Sequence, residues 1–218
     1  MYLTRFQLNP HRRRSRALLG SPQVMHAAVL ACFPDASPTD AGRVLWRVDG
    51  DGEKSHLYVV SPARPDLTTL VEEAGWPTLE TWETRAYDGL LGRLDAGQRW
   101  AFRLTANPVH SLPPAPGEKR GKRFAHVTVA QQLEWLGLQA ERCGFRVGVE
   151  GQVEDEVIVS RRKTITFVRQ KSTVTLGQAT FDGLLEITNR ELFVRALGHG
   201  IGPAKGYGCG LLTLAPVV

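Results

Sequence analysis

Gly198-His199-Gly200-Ile201-Gly202-Pro203-Ala204-Lys205-Gly206-Tyr207-Gly208-Cys209-Gly210 runs directly into an apolar stretch, Leu211 to Leu214. The segment before the glycines, from about Asn189 to Leu197, carries a helical pattern, and the apolar stretch after them reads as a strand. A dinucleotide fingerprint needs the opposite order, strand first and helix second. The pattern therefore argues against a Rossmann cofactor site. Without Cβ atoms the loop's N–H groups can close on a phosphate, and turns with φ > 0 are open to it. Lys205 adds a charge and Tyr207 a face on which a base can stack. Gly200, Gly202, Lys205 and Tyr207 are accordingly candidate contacts to a phosphodiester chain.

Working back from this loop, the second half reads as a strand over Gln98–Asn107 and a loop rich in Pro, Lys and Arg over 108–123. A helix follows over Val129–Cys143, capped by Thr128, with Leu133, Leu136, Ala140 and Cys143 on one stripe. Phe145–Val149 is a strand, and two more are expected within Val157–Val168 and Thr173–Ile187. The first half has the same order. A strand covers residues 2–8 and an arginine-rich loop follows. Ser21-Pro22 opens a helix to about Phe33. Strands at Val44–Val48 and Leu57–Val60 are joined by a turn at Asp49-Gly50-Asp51-Gly52. Asp66 caps a short helix through Glu73, and a strand covers Glu83–Ala86. The economical reading is an α+β chain of two tandem ferredoxin-like (RRM-like, βαββαβ) domains, residues 1–87 and 98–218, with a glycine-containing linker at 88–97. That scaffold's sheet face can carry RNA.

Charge points the same way. The 218 residues hold 27 Lys and Arg against 22 Asp and Glu, a net of +5. A total this modest says little, but its distribution says more. Arg12, Arg13, Arg14 and Arg16 form one cluster, Lys119-Arg120-Gly121-Lys122-Arg123 a second, and Arg161, Arg162 and Lys163, followed by Arg169 and Lys171, a third. One such cluster is as readily a solvated face. Three of them beside a basic glycine loop favour RNA or DNA. Cys32, Cys143 and Cys209 show neither a CxxC pair nor metal-ligand spacing with histidine. No metal site or cofactor is expected. Met1-Tyr2-Leu3-Thr4-Arg5 opens straight into a strand pattern, and no apolar run reaches membrane-spanning length. The expectation is a reduced, cytoplasmic protein with no membrane partner.

Of the six histidines, His26 stands out. It lies one turn into the helix opened by Pro22, with Gln23 on the same face. A histidine can give or take a proton near neutral pH, although most lone helical histidines are structural. His126-Val127-Thr128-Val129 matches the HxT signature that two-histidine phosphoesterases carry twice, but there is no second copy. Lys205-Gly206-Tyr207-Gly208 matches only the first half of the RNA-recognition core motif.

Three separated stretches together resemble a known family. They are Leu8-Asn9-Pro10 with Leu18-Leu19-Gly20-Ser21-Pro22-Gln23-Val24-Met25-His26, then Phe102-Arg103-Leu104-Thr105-Ala106-Asn107-Pro108 with Gly121-Lys122-Arg123, then Gly200 through Leu212. In order and spacing they resemble the CasE-type CRISPR repeat endoribonucleases of the type I-E Cascade system, over essentially the whole chain. The resemblance implies binding of a repeat RNA hairpin and one metal-independent cut at its base. It also implies retention of the crRNA as a Cascade subunit among the other Cascade subunits. The family histidine falls on His26. A family tyrosine falls on Gln23, which can hydrogen-bond a phosphate but is no acid at neutral pH. The basic hairpin of the family falls on the segment with Arg169 and Lys171, which would steady charge on the phosphate. Arg12, Arg13, Arg14, Arg16, Arg161, Arg162 and Lys163 would contact the stem. Two alternatives accompany this reading: a non-catalytic tandem RRM-like RNA-binding protein and an RNA cyclic phosphodiesterase.

Overall fold

The computed structural model describes residues 1–50, 54–113, 121, 123–148, 157–169 and 172–217, with the side chains of Arg123, Arg169 and Ser172 outside that set. The Lys119–Lys122 part of the second basic cluster is outside it apart from Gly121. So are Lys171, the end of the turn at residues 51 and 52, and the last residue of the strand expected to reach Val149.

The first unit runs β1 (Tyr2–Leu8), α1 (Arg13–Gly20), α2 (Pro22–Leu30), β2 (Leu45–Asp49), β3 (Ser55–Ser61), α3 (Thr68–Ala74) and β4 (Trp82–Ala86). Its antiparallel sheet has the order β2-β3-β1-β4. Phe6 and Leu8 of β1 and Leu57 and Val59 of β3 meet Leu18, Met25 and Val29 from the helices in one core. The arginine-rich loop expected after β1 is instead a helix, α1. Arg, Ala and Leu are good helix formers, Leu18 is buried, and Ser15 Oγ donates to Ala74 O at 3.0 Å. One anchored face therefore leaves the arginines outward. Ser21 Oγ accepts from Val24 N and caps α2 as expected. Asp66 acts one residue ahead of the N-cap position, accepting from both Thr68 N and Thr68 Oγ1.

A short helix, α4 (Asp88–Leu91), lies in the glycine-containing segment and buries Leu91, and Leu94 just beyond it is buried too. The second unit then runs β5 (Arg99–Ala106), β6 (Val109–Ser111), β7 (Arg123–Ala125), α5 (Val129–Arg142), β8 (Phe145–Val147), β9 (Val157–Arg169), β10 (Ser172–Ile187), α6 (Arg190–His199), a 3-10 turn (Lys205–Tyr207) and β11 (Leu212–Ala215). Its sheet order, β11-β5-β10-β8, repeats the first unit's topology, with β9 pairing along the outer part of β10 as a long hairpin. β6 and β7 pair within what reads in sequence as an irregular loop. Leu45, Val60 and Tyr87 of the first unit join Leu104, Trp135 and Phe181 of the second in one apolar cluster. The two units are thus packed together.

Arg47 pins this contact. Its side chain is 2% exposed. Nε and Nη2 donate to Asp49 at 2.7 Å each. Nη1 reaches Arg103 O and Leu211 O at 2.8 and 2.9 Å, and Nη2 reaches Thr213 Oγ1 at 2.8 Å. All five N–H groups of the guanidinium fork are used, three of them across to β5 and the β11 segment. Gly42 and Gly198 add a close backbone approach, in which a Cβ on Gly42 would lie 2.5 Å from Gly198 O and one on Gly198 2.4 Å from Ala41 O.

Candidate functional site

Between α1–α2 and β2 on one side and the β9–β10 hairpin on the other lies a groove of about 570 Å³. Pro22, Met25 and Trp46 line one wall, Arg161, Lys163 and Gln178 the other, and Tyr207 and Gly208 close the end. Alternation along β9 puts Arg161 and Lys163 on one pleat, opposite Thr180 and Gln178 of β10. Arg161 Nη1 donates to Gly50 O at 2.9 Å, joining the two walls. Arg162, on the other pleat, sends Nη1 to Val127 O at 3.1 Å. All three side chains are exposed. Leu18 and Leu19 of α1 also line the groove, so that helix flanks it. On α1, Arg14 pairs with Glu73 at 2.9 Å and Arg16 Nη1 holds His11 O at 3.2 Å. Arg13 is exposed and Arg12 occupies the helix's N-cap position.

His26 lies behind this groove, next to its wall residue Trp46. Trp46 Nε1 donates to its Nδ1 at 3.2 Å. The other ring nitrogen faces Gly206 of the 3-10 turn, where a Cβ would stand 3.2 Å from Nε2. Gly208 has φ +78°, and a Cβ there would lie 2.8 Å from the Trp46 ring. The two glycines therefore serve different needs: one leaves room beside the imidazole, the other lets the backbone lie on the indole. Gln23 Oε1 is buried and has no hydrogen-bond partner among the described residues. A buried, unpartnered carbonyl one helical turn from His26 is an acceptor waiting for a donor.

The other loop residues turn inward. Gly200 and Gly202 approach Leu45 and Trp135, where a Cβ would lie 2.7 and 2.8 Å from those side chains. Lys205 Nζ donates to Gly202 O, and burial with Arg43 nearby holds its ammonium below the ordinary lysine range. Lys205, the lysine expected to meet a phosphate, thus braces its own loop through one of its N–H groups. Gly210 N donates to Thr105 O at 2.7 Å and ties the loop to β5. Tyr207 packs against Phe167 with ring centroids 4.8 Å apart, and its carbonyl accepts from Gln178 Nε2 at 2.9 Å. Arg169 lies in β9 near the hairpin tip, its side chain outside the described set, as is all of Lys171.

The HxT segment has another use. Thr128 Oγ1 accepts from Gln131 N while Gln131 Oε1 accepts from Thr128 N, both at 3.2 Å, which is a capping box on α5. His126 packs against His110 with the rings tilted at 51° and their centroids 5.1 Å apart. His199 Nε2 lies 3.1 Å from Asp40 O. Among the described residues no three His, Cys, Asp or Glu side chains are placed to hold a metal ion, and no helix is long and apolar enough to cross a membrane. Trp46 and Arg47 are the residues that sequence reasoning passed over. In a strand, nothing marks an indole that bonds a histidine apart from one that only packs.

The chain is 31% identical to the CRISPR-associated endoribonuclease Cse3 of Thermus thermophilus over 224 residues, covering 99% of this chain and all of that one. It is 30% identical to the CRISPR system Cascade subunit CasE of Escherichia coli over 201 residues, covering 88% and 91% of the two. The solved structure of CRISPR endoribonuclease Cse3 bound to a 19-nucleotide RNA superposes with a TM-score of 0.82 at 30% identity, over 99% of this chain and all of the other. The family described as CRISPR associated protein matches residues 1–216. With a doubled ferredoxin-like fold and this match over nearly its whole length, the chain belongs to the CRISPR associated protein family.

Proposed function

We propose that this chain is a CRISPR endoribonuclease. It binds the hairpin of a repeat in precursor RNA, cuts once at the hairpin's base, and keeps the crRNA as a subunit of Cascade in the cytoplasm. The observation that carries this reading is the bond between His26 and Trp46, a wall residue of the groove that Arg161 and Lys163 also line, with Gly206 of the glycine turn beside the imidazole. The names and high coverage of the Cse3 and CasE relatives support it.

The nucleophile is the RNA's own 2′-hydroxyl. It attacks the adjacent phosphorus and the 5′-oxygen leaves, giving a 2′,3′-cyclic phosphate and a 5′-hydroxyl. Because the nucleophile is the substrate's own hydroxyl, this chemistry does not require a metal-activated water as the attacking group. His26 touches the reacting atoms, as base toward the 2′-hydroxyl or as donor toward the 5′-oxygen, a contribution of about 10²–10⁴ in rate. Arg161 and Lys163 bind stem phosphates along the groove, with Arg162, Arg12, Arg13, Arg14 and Arg16 on its flanks. Recognition of an RNA stem rests on backbone and shape, since its major groove is too narrow for side chains. Arg169, at the end of β9, and Lys171 are the cations assigned to the scissile phosphate. In-line positioning of the 2′-oxygen contributes alongside these charges.

The test is cleavage of the cognate repeat RNA in EDTA, with wild type and His26→Ala in parallel and a 2′-deoxy substrate as control. One EDTA-resistant cut is expected. It should be lost with His26→Ala and with the deoxy substrate while binding persists. Binding without any cleavage by wild type would make the chain a non-catalytic RNA-binding protein.

A further inference from the structure

We propose that the β6–β7 hairpin is a second RNA-binding site, at which an unpaired base of the strand flanking the repeat stem stacks on the rings of Phe124 and His110. The inference rests on the reading of the groove as the place of the stem.

The strand register decides which way these rings point. His110 stands opposite Phe124, and Val109 opposite Ala125. His126 N donates to Pro108 O at 3.0 Å and carries the pairing one residue further. Side chains alternate between the two faces of a strand pair. His110, Phe124 and His126 therefore share one face, and Ala125 takes the other. The Ala125 face is the one laid toward β10, where a Cβ on Gly177 would lie 3.2 Å from that of Ala125. The ring-bearing face is thus turned away from β10. His110 and Phe124 stack with centroids 5.6 Å and planes 20° apart, and His126 tilts against His110. His110 is exposed, and Phe124 is 44% exposed.

The hairpin is held without these rings. Arg162 Nη1 of β9 donates to Val127 O at 3.1 Å, and Gln132 Nε2 of α5 donates to His126 O at 2.9 Å. Both bonds take hold of backbone just beyond β7. The rings are left facing solvent, and aromatic and imidazole planes of this kind are what splayed-out bases stack on. Two of the three rings are imidazoles, which suits a base better than the apolar side chain of a protein partner. The described lengths of β6, β7 and β9 and residues 126–133 carry no acidic residue to repel a phosphate.

Arg162 also joins this face to the groove. It lines the groove while holding Val127 O. Among the described residues β9 pairs only with β10, so its outer edge is open. RNA leaving the stem can cross that edge at Arg162 and come down on the rings.

The experiment compares two RNAs on the full chain, both with 2′-deoxy at the cut site so that they bind without being cut. One is the cognate repeat stem-loop alone, and the other carries about ten unpaired nucleotides at each end. Flanking bases are replaced one at a time by 2-aminopurine, whose fluorescence falls when it stacks. Wild type should quench it at a defined position. Phe124→Ala should weaken binding of the extended RNA about tenfold, the scale of one lost base–ring stack. It should also erase the quenching and leave the stem-loop alone unaffected. His110→Ala should do the same to a lesser degree, and Phe124→Trp, which keeps a ring, should retain wild-type binding. Quenching that survives Phe124→Ala overturns the proposal. So does equal weakening of both RNAs, which a hairpin that only shapes the groove would give. Unaltered RNA binding with lost assembly onto the other Cascade subunits would make this face a protein contact and overturn it as well. Should Phe124→Ala fail to fold, His110→Ala and the wild-type quenching still decide. A wild type that binds no stem-loop would sink the hairpin-binding reading. The rings would then be judged by whether a single strand of about ten uridines binds wild type more tightly than Phe124→Ala.

Discussion

Replacing Arg47 by methionine should unfold this protein far more readily than its single position suggests. The substitution keeps most of the apolar stem and removes the fork. Asp49, 15% exposed, loses its bidentate partner, and breaking a buried pair costs about 3–5 kcal/mol. Arg103 Nη1 remains 3.8 Å from Asp49 Oδ2, which places the loss near the lower end. The carbonyls of Arg103 and Leu211 lose their shared donor, adding roughly 1 kcal/mol. The sum is about 4 kcal/mol, a large part of a typical 5–15 kcal/mol. At about 2–4 °C per kcal/mol for a chain of this size, Tm should drop by roughly 8–16 °C. Arg85→Met is the control. Its pair with Glu83 lies on an exposed strand face, and such pairs contribute about 0–1 kcal/mol. Thermal and urea melts by circular dichroism read both variants. An Arg47→Met protein melting within about 2 °C of wild type would refute the claim that this guanidinium pins the units together.

Three further outcomes follow from the same geometry. Gly206→Ala, at a position without positive φ, should fold with little change in Tm yet cut at least about tenfold more slowly, since its methyl would stand 3.2 Å from His26 Nε2; unchanged single-turnover cleavage would show that this space is not used. Arg161→Ala and Lys163→Ala should each lower the slope of log K against log salt for repeat RNA by about 0.7–0.9, measured by filter binding, whereas an unchanged slope would remove that residue from the phosphate contacts. Burial pushes the thiol of Cys32 up to about 11 and that of Cys209 up to about 12. A raised folded-state pKa contributes stability that is full below the ordinary thiol range and is lost as pH rises through the folded value. Tm should therefore fall between about pH 9 and 11, and fall less steeply in a Cys32→Ala/Cys209→Ala protein; parallel Tm–pH curves would refute this.

The doubled βαββαβ order was legible in the chain because each element carries a local signal. Ser21-Pro22, Thr128 and Asn189 mark helix starts by chemistry that acts within three residues, and strand alternation needs only neighbours. His26 was legible for a similar reason, as a titratable side chain one turn past a helix start. The arginine-rich segment was misread because its helix depends on anchors 50 and more residues away, such as Ala74 O under Ser15. For Lys205 the sequence shows a charge but not the carbonyl of Gly202 that its ammonium also meets. The sequence by itself thus determined most of the elements, their order and the candidate histidine. Only the tertiary structure decided that β2 brings Trp46 under His26 and Arg47 into the second unit, and that the β9–β10 hairpin faces α2 across a groove. Those contacts join residues tens to well over a hundred positions apart. Long-range packing and hydrogen-bond satisfaction select them, and no local pattern encodes either.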